Sequence, residues 1–588
     1  GDFVFTSYSF GRVCYKRTLL YIQIRNFECQ WIILIGSNLE DVSNIVRLTT
    51  YISLQQTILY SSCTIFAILL VVEEDRCSSI ESSICLNSNK LLGVGRNGEL
   101  IIIGTLGTWQ SILYREFCQF EGRIHSLTRL VVLHFCLDHI LGSRILQLVH
   151  YNIIGRTGIR NLYANIIGTR LRRSRYLLIG DIAQAGIYLY LTASMTASDA
   201  FSATDKVAFA HYAAEAHFVR AYLYFWLADH FCQSYTQCDP SKAASGLPLS
   251  TKYNPTGNLA DYPSRSTLDE TFALIEEDMQ KAYEGLAAYE KSGVTVEKEE
   301  SQPLAYIHSL TVRALQARVA LVKGDWENAA KYAEAVINSG KYKLTTIKDY
   351  AKLWTNDEGT EIIFRPNMTS TELGGCNATP FVSESETKAD YIPTYGTLDL
   401  LWMNEGDIRA EVFLKLYENL QVEGSNYEAY VFNKFPGNSE LRTSSNNNLM
   451  NMSKPFRLSE MYLIAAEAEA RLNHMEDANK HLNTFLNNRI MDYEPQTYSE
   501  PTIFLKVVEE EREREFIGEG MRMSDIRRYG KGFKRVSLHE ENETLDKIIV
   551  KQGKAIQYKA NDYRLTWPIP KAELDANPIL KGQQNPGY

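Results

Sequence analysis

The densest cluster of ionisable side chains is the segment EREREFIGEGMRMSDIRRYG, residues 511–530, in which five carboxylates alternate with five arginines. Two carboxylates could serve glycoside hydrolysis, where an acid and a base or nucleophile must flank one bond. Each carboxylate here has an arginine within one helical turn, and a nearby cation lowers the pKa of a carboxyl group. Such groups are poor proton donors near neutrality, so the pattern favours a structural ion network over catalysis.

Helical spacing gives that network its expected form. Steps of three and four residues place one stripe of alternating charge on a helix, formed by Arg512, Glu515, Glu519, Arg522 and Asp525. We predict that the stripe is a buried clamp between this helix and the C-terminal tail. Arg522→Ala is then expected to lower thermal stability markedly.

No other pattern predicts a catalytic, metal or nucleotide site. His211 and His217 are six residues apart and share a helix face poorly, and His539 in HEEN lacks the second histidine of the H-E-x-x-H zinc motif. Gly93–Gly98 matches G-x-G-x-x-G, but an extended segment follows where a helix is needed. We therefore expect no catalytic residue, no metal and no cofactor. The formal charge of −9 argues against a nucleic-acid partner.

The elements that must position any site are predominantly helical from about residue 205. Residues 207–231 carry Ala, Leu and aromatic residues at helical spacing, and Thr267 with Glu270 has the spacing of a capping box. Two helix–turn–helix segments, at 305–340 and 458–489, have small alanines on facing sides, which allows close antiparallel packing. They are typical of tetratricopeptide-like units.

Between the two helix pairs lies a segment of different character, residues 345–455. It has few periodic runs and many Asn, Gly, Thr and Ser residues. Long irregular segments on a rigid scaffold are where binding residues concentrate. Flat aromatic rings suit sugars or peptides, so the candidate ligand-binding residues are Trp354, Tyr391, Tyr395 and Trp402.

The first 190 residues have an atypical composition. They contain 16 Arg but two Lys, seven of the ten Cys, and neither Pro nor Met. This composition fits either an unusual natural domain or a stretch of coding sequence translated in a shifted reading frame. The apolar run at 57–72 is shorter than the roughly 20 residues that span a bilayer. We therefore divide the chain into an atypical region, 1–190, and a helical region, 191–588.

Five segments in fixed order resemble the SusD/RagB family of outer-membrane nutrient-binding lipoproteins of Bacteroidetes. They are AEAHFVRAYLYFWLADHF, ALQARVALVKGDWENAAKYAEAVINSGKYKL, FRLSEMYLIAAEAEARLN, EREREFIGEGMRMSDIRRYG, and the ending WPIPKAEL with NPILKGQQNPGY. The resemblance covers about residues 205–588. It implies a mainly α fold with tetratricopeptide-like helix pairs and a large loop-rich insertion.

The resemblance also implies a function without catalysis. Such a protein sits on the extracellular face of the outer membrane through a lipidated N-terminal Cys. It captures an oligosaccharide or peptide and passes it to a SusC-like TonB-dependent transporter. Gly1 is not that Cys, and residues 1–190 do not match the helical N-terminal part expected of the family. A gating lid with little ligand binding of its own, and a glycoside hydrolase, are the alternative functions.

Overall fold

The computed structural model describes most of the chain from Ser174 onward and four short strands before it. The described residues are 4–7, 20–23, 85–87, 90–92, 174–251, 258–296, 299–371, 373, 388–422, 424–443, 449–535 and 557–588. Gly93–Gly98, His539 and the apolar run at 57–72 lie outside these ranges.

The chain divides into two compact units, Gly1–Val149 and His150–Tyr588. Two antiparallel strand pairs are described in the first unit: β1 (Val4–Ser7) with β2 (Leu20–Gln23), and β3 (Cys85–Asn87) with β4 (Lys90–Leu92). The second unit begins before residue 190, because the helix Ser174–Ala197 belongs to it.

The described part of the second unit is mainly helical, as predicted. Its helices are α1 (Ser174–Ala197), α2 (Ala203–Phe231), α3 (Leu268–Ser292), α4 (Ser309–Lys323), α5 (Trp326–Ile337), α6 (Lys352–Thr355), α7 (Tyr395–Trp402), α8 (Ile408–Phe413), α9 (Leu458–Arg471), α10 (Met475–Leu486), α11 (Pro501–Glu515), α12 (Arg522–Arg528) and α13 (Lys571–Ala576). None of the helices in the described ranges is long and apolar enough to cross a membrane.

Local sequence signals fix several helix ends. Ser202 and Asp205 form a capping box at the start of α2, and Thr267 and Glu270 form the predicted box at the start of α3. In the second box, the backbone N–H of Glu270 donates to Thr267 Oγ1 over 3.1 Å. These contacts satisfy backbone donors that have no partner inside the helix.

The two predicted helix pairs are present. In the first pair, α4 ends at Lys323 and is capped by Gly324, whose φ of +75° is accessible to glycine without strain. Asp325 caps α5 by accepting the backbone N–H of Asn328. The alanines that were expected to face each other are buried: Ala314, Ala317, Ala320, Ala329, Ala330 and Ala333. The second pair is formed by α9 and α10, and α9 also packs between α5 and α11 within one hydrophobic core.

The insertion has a core of its own and one element that sequence periodicity did not indicate. This element is a hairpin of β6 (Leu414–Val422) and β7 (Ser425–Phe432), with Gly424 at φ +85° in its turn. Strand β5 (Ile362–Phe364) pairs with β8 (Phe456–Arg457) and so joins the insertion to the start of α9. The second core includes Tyr350, Trp354 and Phe413.

The C-terminal segment is an ordered strap across the helical scaffold. Trp567 donates its backbone N–H to the His230 carbonyl over 2.8 Å, and its ring lies against Trp226 and Phe231. Asn585 Nδ2 donates to the Phe231 carbonyl over 2.7 Å. A short strand pair, β9 (Phe533–Lys534) with β10 (Gln557–Tyr558), precedes the strap.

Candidate ligand-binding site

Helix α7 presents an aromatic face to solvent. Its apolar side, Leu398 and Leu401, is buried in the insertion core. The opposite side follows helical spacing of four and three residues and carries Tyr395, Asp399 and Trp402. Tyr395 is 41% exposed and Trp402 is 45% exposed. Two rings with a carboxylate between them therefore share one surface.

Two further tyrosines adjoin this surface, Tyr430 by contact and Tyr391 in the chain. Tyr430 on β7 meets Trp402 edge to face, with ring centroids 4.9 Å apart. Tyr391, just before α7, is 61% exposed. We call the surface formed by Tyr391, Tyr395, Asp399, Trp402 and Tyr430 the aromatic platform. It contains one carboxylate, Asp399, and the exposed residues Asp390 and Glu405 flank it in the chain.

The platform is held rigidly on the scaffold. Arg514 Nε, from α11, donates to the Leu400 carbonyl over 2.7 Å, and a second nitrogen of the same guanidinium lies 3.7 Å from Met403 Sδ. The guanidinium is also paired with Glu511. Because α7 is anchored by a buried charged side chain, its exposed rings are positioned before any ligand arrives.

Trp354, the fourth candidate, is not part of this surface. It is 1% exposed and lies in the insertion core, edge to face with Phe413 and Phe435 at centroid distances of 5.9 and 5.6 Å. Lys434 Nζ lies 4.4 Å from its ring centroid. A ring packed on all sides cannot stack on a ligand in this conformation, so the assignment of Trp354 to ligand binding is corrected. Its large apolar area is used for packing.

The carboxylate of Glu515 is the centre of a buried ion cluster. Arg457 Nη1 is 2.8 Å from Glu515 Oε1, Arg489 Nε is 3.1 Å from Oε2, and an Arg409 nitrogen is 3.5 Å from Oε2. Glu361 shares Arg457 and Arg489 at 2.6 and 2.9 Å. Burial alone would raise the pKa of Glu515, but the three guanidinium groups outweigh it and hold that pKa well below its usual value.

Glu519 extends the cluster towards the insertion. Arg457 Nη2 and Lys434 Nζ each lie 2.6 Å from Glu519 Oε1. Burial opposes ionisation of Glu519, yet the two cations lower its pKa. Burial also lowers the pKa of Lys434 to about 8, against the attraction of Glu519. We call the set Glu361, Arg409, Lys434, Arg457, Arg489, Glu515 and Glu519 the Glu515 cluster.

Asp525 belongs to a separate buried cluster, and Arg522 lies at the surface. Asp525 pairs with Arg512 at 3.0 Å and Arg528 at 2.8 Å, and Arg528 also pairs with Glu467 on α9. Burial would raise the pKa of Asp525, but the two arginines lower it. The Arg522 side chain is 37% exposed and contacts Glu513 at 2.7 Å.

The single stripe predicted for residues 512–525 is therefore not formed. Helix α11 ends at Glu515, and Gly518 and Gly520, with φ of +75° and +83°, turn the chain before α12 begins at Arg522. The Glu515 cluster joins α11 to α9 and the insertion, rather than to the C-terminal tail. Its partners outside 511–530 are far apart in sequence, so periodicity within the segment could not reveal them.

The arrangement of these carboxylates is structural in character. Glu515, Glu519 and Asp525 are ionised and paired, whereas a general acid needs a raised pKa. Glu513 departs from the expectation that arginine lowers every pKa here: burial raises its pKa despite the contact with Arg522. Within the described residues, no group of three or more His, Cys, Asp or Glu side chains could hold a metal ion.

Two family models match the chain. The model described as "SusD family" matches residues 401–588, and the one described as "Starch-binding associating with outer membrane" matches residues 181–308. The chain belongs to the SusD/RagB family. The first match begins at the last turn of α7 and includes the hairpin and α11. The second begins about 25 residues before the start of the predicted resemblance. None of the curated proteins compared with the chain matches it.

Three similar solved structures come from Bacteroides species. A SusD superfamily protein of Bacteroides thetaiotaomicron is 24% identical with a TM-score of 0.58, over 75% of this chain and 99% of its own. A putative sugar binding protein of Bacteroides vulgatus is 25% identical with a TM-score of 0.56, over 74% and 90%. A SusD superfamily protein of Bacteroides vulgatus is 20% identical with a TM-score of 0.55, over 75% and 97%.

Proposed function

We propose that this SusD/RagB protein captures an oligosaccharide on the aromatic platform at the cell surface. It then delivers the ligand, uncleaved, to a SusC-like TonB-dependent transporter. The observation that carries the proposal is the exposed face of α7, where Tyr395 and Trp402 flank Asp399 on a helix anchored by Arg514. Lipid anchoring on the extracellular face of the outer membrane is part of the same proposal.

The chemistry of the platform favours a glycan over a peptide. Aromatic faces stack on the C–H faces of sugar rings, and a carboxylate accepts hydrogen bonds from neighbouring hydroxyl groups. The Asp399 carboxylate favours a neutral sugar over an anionic one, because like charges repel. The similar Bacteroides vulgatus protein described as sugar binding and the starch-binding family description support the same ligand class. A peptide stays the alternative ligand.

Isothermal titration of the purified protein with neutral oligosaccharides tests the proposal. Maltoheptaose, cellohexaose and xylohexaose are suitable probes, and Trp402→Ala and Tyr395→Ala are the test variants. The matched control is Tyr190→Ala, which removes an exposed tyrosine on α1. We expect saturable binding of at least one probe, weakened about tenfold by either test variant and unchanged in the control.

Three outcomes would contradict the proposal. Affinity that is unchanged in the Trp402→Ala/Tyr395→Ala double variant would place the ligand elsewhere. If none of the three sugars binds, the protein is a gating lid or a peptide binder. Titration with a peptide library then distinguishes these two, because only the peptide binder binds a member of the library. Release of shortened sugars, abolished by Glu519→Gln, would favour a glycoside hydrolase.

A further inference from the structure

One exposed methionine has its sulfur against a buried cation. All methionines of the chain lie within the described ranges, and three of them are exposed: Met403 at 59%, Met491 at 58% and Met523 at 38%. Met403 is the C-cap residue of α7 and directly follows Trp402. Its Sδ lies 3.7 Å from Arg514 Nη2, and in the described part of the chain no other methionine sulfur accepts a hydrogen bond.

The guanidinium of Arg514 depends on protein acceptors, because its side chain is 1% exposed. Its Nε donates to the Leu400 carbonyl over 2.7 Å, and its Nη1 is paired with Glu511. For Nη2, the only hydrogen-bond acceptor among the described residues is the Met403 sulfur. A thioether is a weak acceptor, so this buried, charged donor is poorly satisfied.

Oxidation of Met403 supplies a strong acceptor at this position. A sulfur lone pair attacks one oxygen of a peroxide, so that an S–O bond forms and the O–O bond breaks. The proton of the transferred oxygen leaves with the displaced hydroxide as water. Sulfur loses two electrons and the peroxide gains them. The product is methionine sulfoxide, whose polar oxygen is bonded to the same sulfur that contacts Arg514 Nη2.

We propose that Met403 is an oxidation site, and that its sulfoxide oxygen accepts a hydrogen bond from Arg514 Nη2. A charge-assisted N–H···O bond is stronger than the N–H···S contact that it replaces. It ties the C-terminal end of α7, which carries the aromatic platform, more firmly to α11. Methionine oxidation ordinarily disrupts apolar packing, so an oxidation that stabilises the fold is a distinctive result. The proposal holds whether or not the platform binds a sugar.

Met491 is a matched control for Met403. It is exposed to the same extent, and its backbone N–H donates to the Gly406 carbonyl over 3.0 Å. Its sulfur, however, has no hydrogen-bond donor among the described residues. Oxidation of Met491 therefore adds a polar oxygen without a cation to bind it.

Treatment of the full chain with hydrogen peroxide, in two double variants, tests the proposal. Met491→Leu/Met523→Leu keeps Met403 as the exposed methionine, and Met403→Leu/Met523→Leu keeps Met491. Peptide mass spectrometry identifies which sulfur has gained an oxygen, and thermal denaturation compares treated with untreated protein. We expect oxidation to raise the melting temperature by about 1–2 °C in the first variant. In the second variant it should leave the melting temperature unchanged or lower it.

A glutamine side chain tests the same contact without an oxidant, because its amide oxygen is a hydrogen-bond acceptor. Met403→Gln is expected to melt at a higher temperature than Met403→Leu, and Met491→Gln is not expected to exceed Met491→Leu. The difference at position 403 should vanish in an Arg514→Lys background, which lacks Nη2. If Arg514→Lys does not fold, the comparison of positions 403 and 491 decides.

Four results would overturn the proposal. Peroxide could oxidise Met491 and leave Met403 intact, or oxidised Met403 could fail to raise the melting temperature. Met403→Gln and Met403→Leu could melt at the same temperature. A difference between them that persists in a folded Arg514→Lys protein would show that Arg514 is not the donor.

Discussion

The Glu515 cluster and the aromatic platform are neighbours that differ in almost every property. Two consecutive residues of α11 contact the two regions. Arg514 donates to the backbone of α7, which carries the platform, and Glu515 belongs to the buried cluster. The cluster is charged, buried and fully engaged in ion pairs. The platform is aromatic, exposed and faces solvent. The buried ion pairs stabilise the fold, whereas the exposed aromatic rings are accessible to a ligand.

The difference also shows why carboxylates are a poor guide to function here. Glu361 and Glu515 are buried, the Glu519 side chain is 9% exposed, and each of the three is paired with Arg457. A buried ion pair contributes little net stability compared with apolar residues, but removal of one partner leaves an uncompensated charge. The cluster therefore specifies how the insertion is oriented on α9. In the platform, aromatic rings and one carboxylate, Asp399, face solvent.

The largest effect is expected from Arg457→Ala. Arg457 bridges Glu361, Glu515 and Glu519, so its loss removes one cation from two buried carboxylates and from a third that is nearly buried. The free energy of unfolding is expected to fall by about 3–5 kcal/mol. Urea denaturation measures the change, with Arg442→Ala as an exposed control. A loss below 1 kcal/mol would show that the cluster does not hold the insertion.

A buried group without such partners is expected to limit stability in acid. The ring nitrogens of His211 have no hydrogen-bond partner among the described residues, although Glu215 lies 3.6 Å away. Burial and, secondarily, His308 lower the pKa of His211 to about 3. Unfolded chains take up the proton near pH 6.5, so the stability that neutral His211 provides is complete above that pH and is lost as the pH falls towards 3.

The test compares the parent protein with His211→Phe, which keeps a ring against Tyr289. Between pH 7 and pH 5 the parent is expected to lose about 2 kcal/mol more free energy of unfolding than the variant. Arg522→Ala, which alters no histidine, is the control and should follow the parent. Parallel curves for the parent and His211→Phe would contradict a depressed pKa for His211.

Trp402→Ala is expected to affect affinity more than stability. Loss of the ring should weaken binding of the cognate oligosaccharide about tenfold, or about 1.4 kcal/mol. The free energy of unfolding should change by less than about 1 kcal/mol, because the ring is half exposed and its contact with Tyr430 is a single aromatic pair. Calorimetry and thermal denaturation of one preparation separate the two effects. A large loss of stability with unchanged affinity would reverse the roles of the two regions.

The smallest effect is expected from Arg522→Ala. The spacing in sequence predicted a marked loss of stability, but Arg522 pairs with Glu513 and Glu509 at the surface. Exposed ion pairs contribute about 0–1 kcal/mol, so the change should stay within that range. Asp525→Ala, which removes the buried partner of Arg512 and Arg528, is the contrasting variant and should lower the free energy of unfolding more. Equal destabilisation by both would show that the surface pair is coupled to the core.

Local sequence signals accounted for the scaffold and for part of the candidate site. The helix pairs at 309–337 and 458–486 followed from alanine periodicity and a Gly-Asp turn, because those signals act within a few residues. Tyr391, Tyr395 and Trp402 were selected by residue type and their place in an irregular segment, and the structure finds them exposed. Their role in binding stays a prediction.

Burial, by contrast, depends on contacts between distant segments, and only the tertiary structure decided it. Trp354 and Trp402 are the same residue type in the same insertion, yet one is enclosed by Phe413, Phe435 and Lys434 and the other faces water. The ion partners of Glu515 likewise come from positions 26 to 106 residues away. The sequence alone determined the two helix pairs, the capping box at Thr267 and the family. Packing determined which aromatic rings are left for a ligand, because a ring's exposure is set by its neighbours in space.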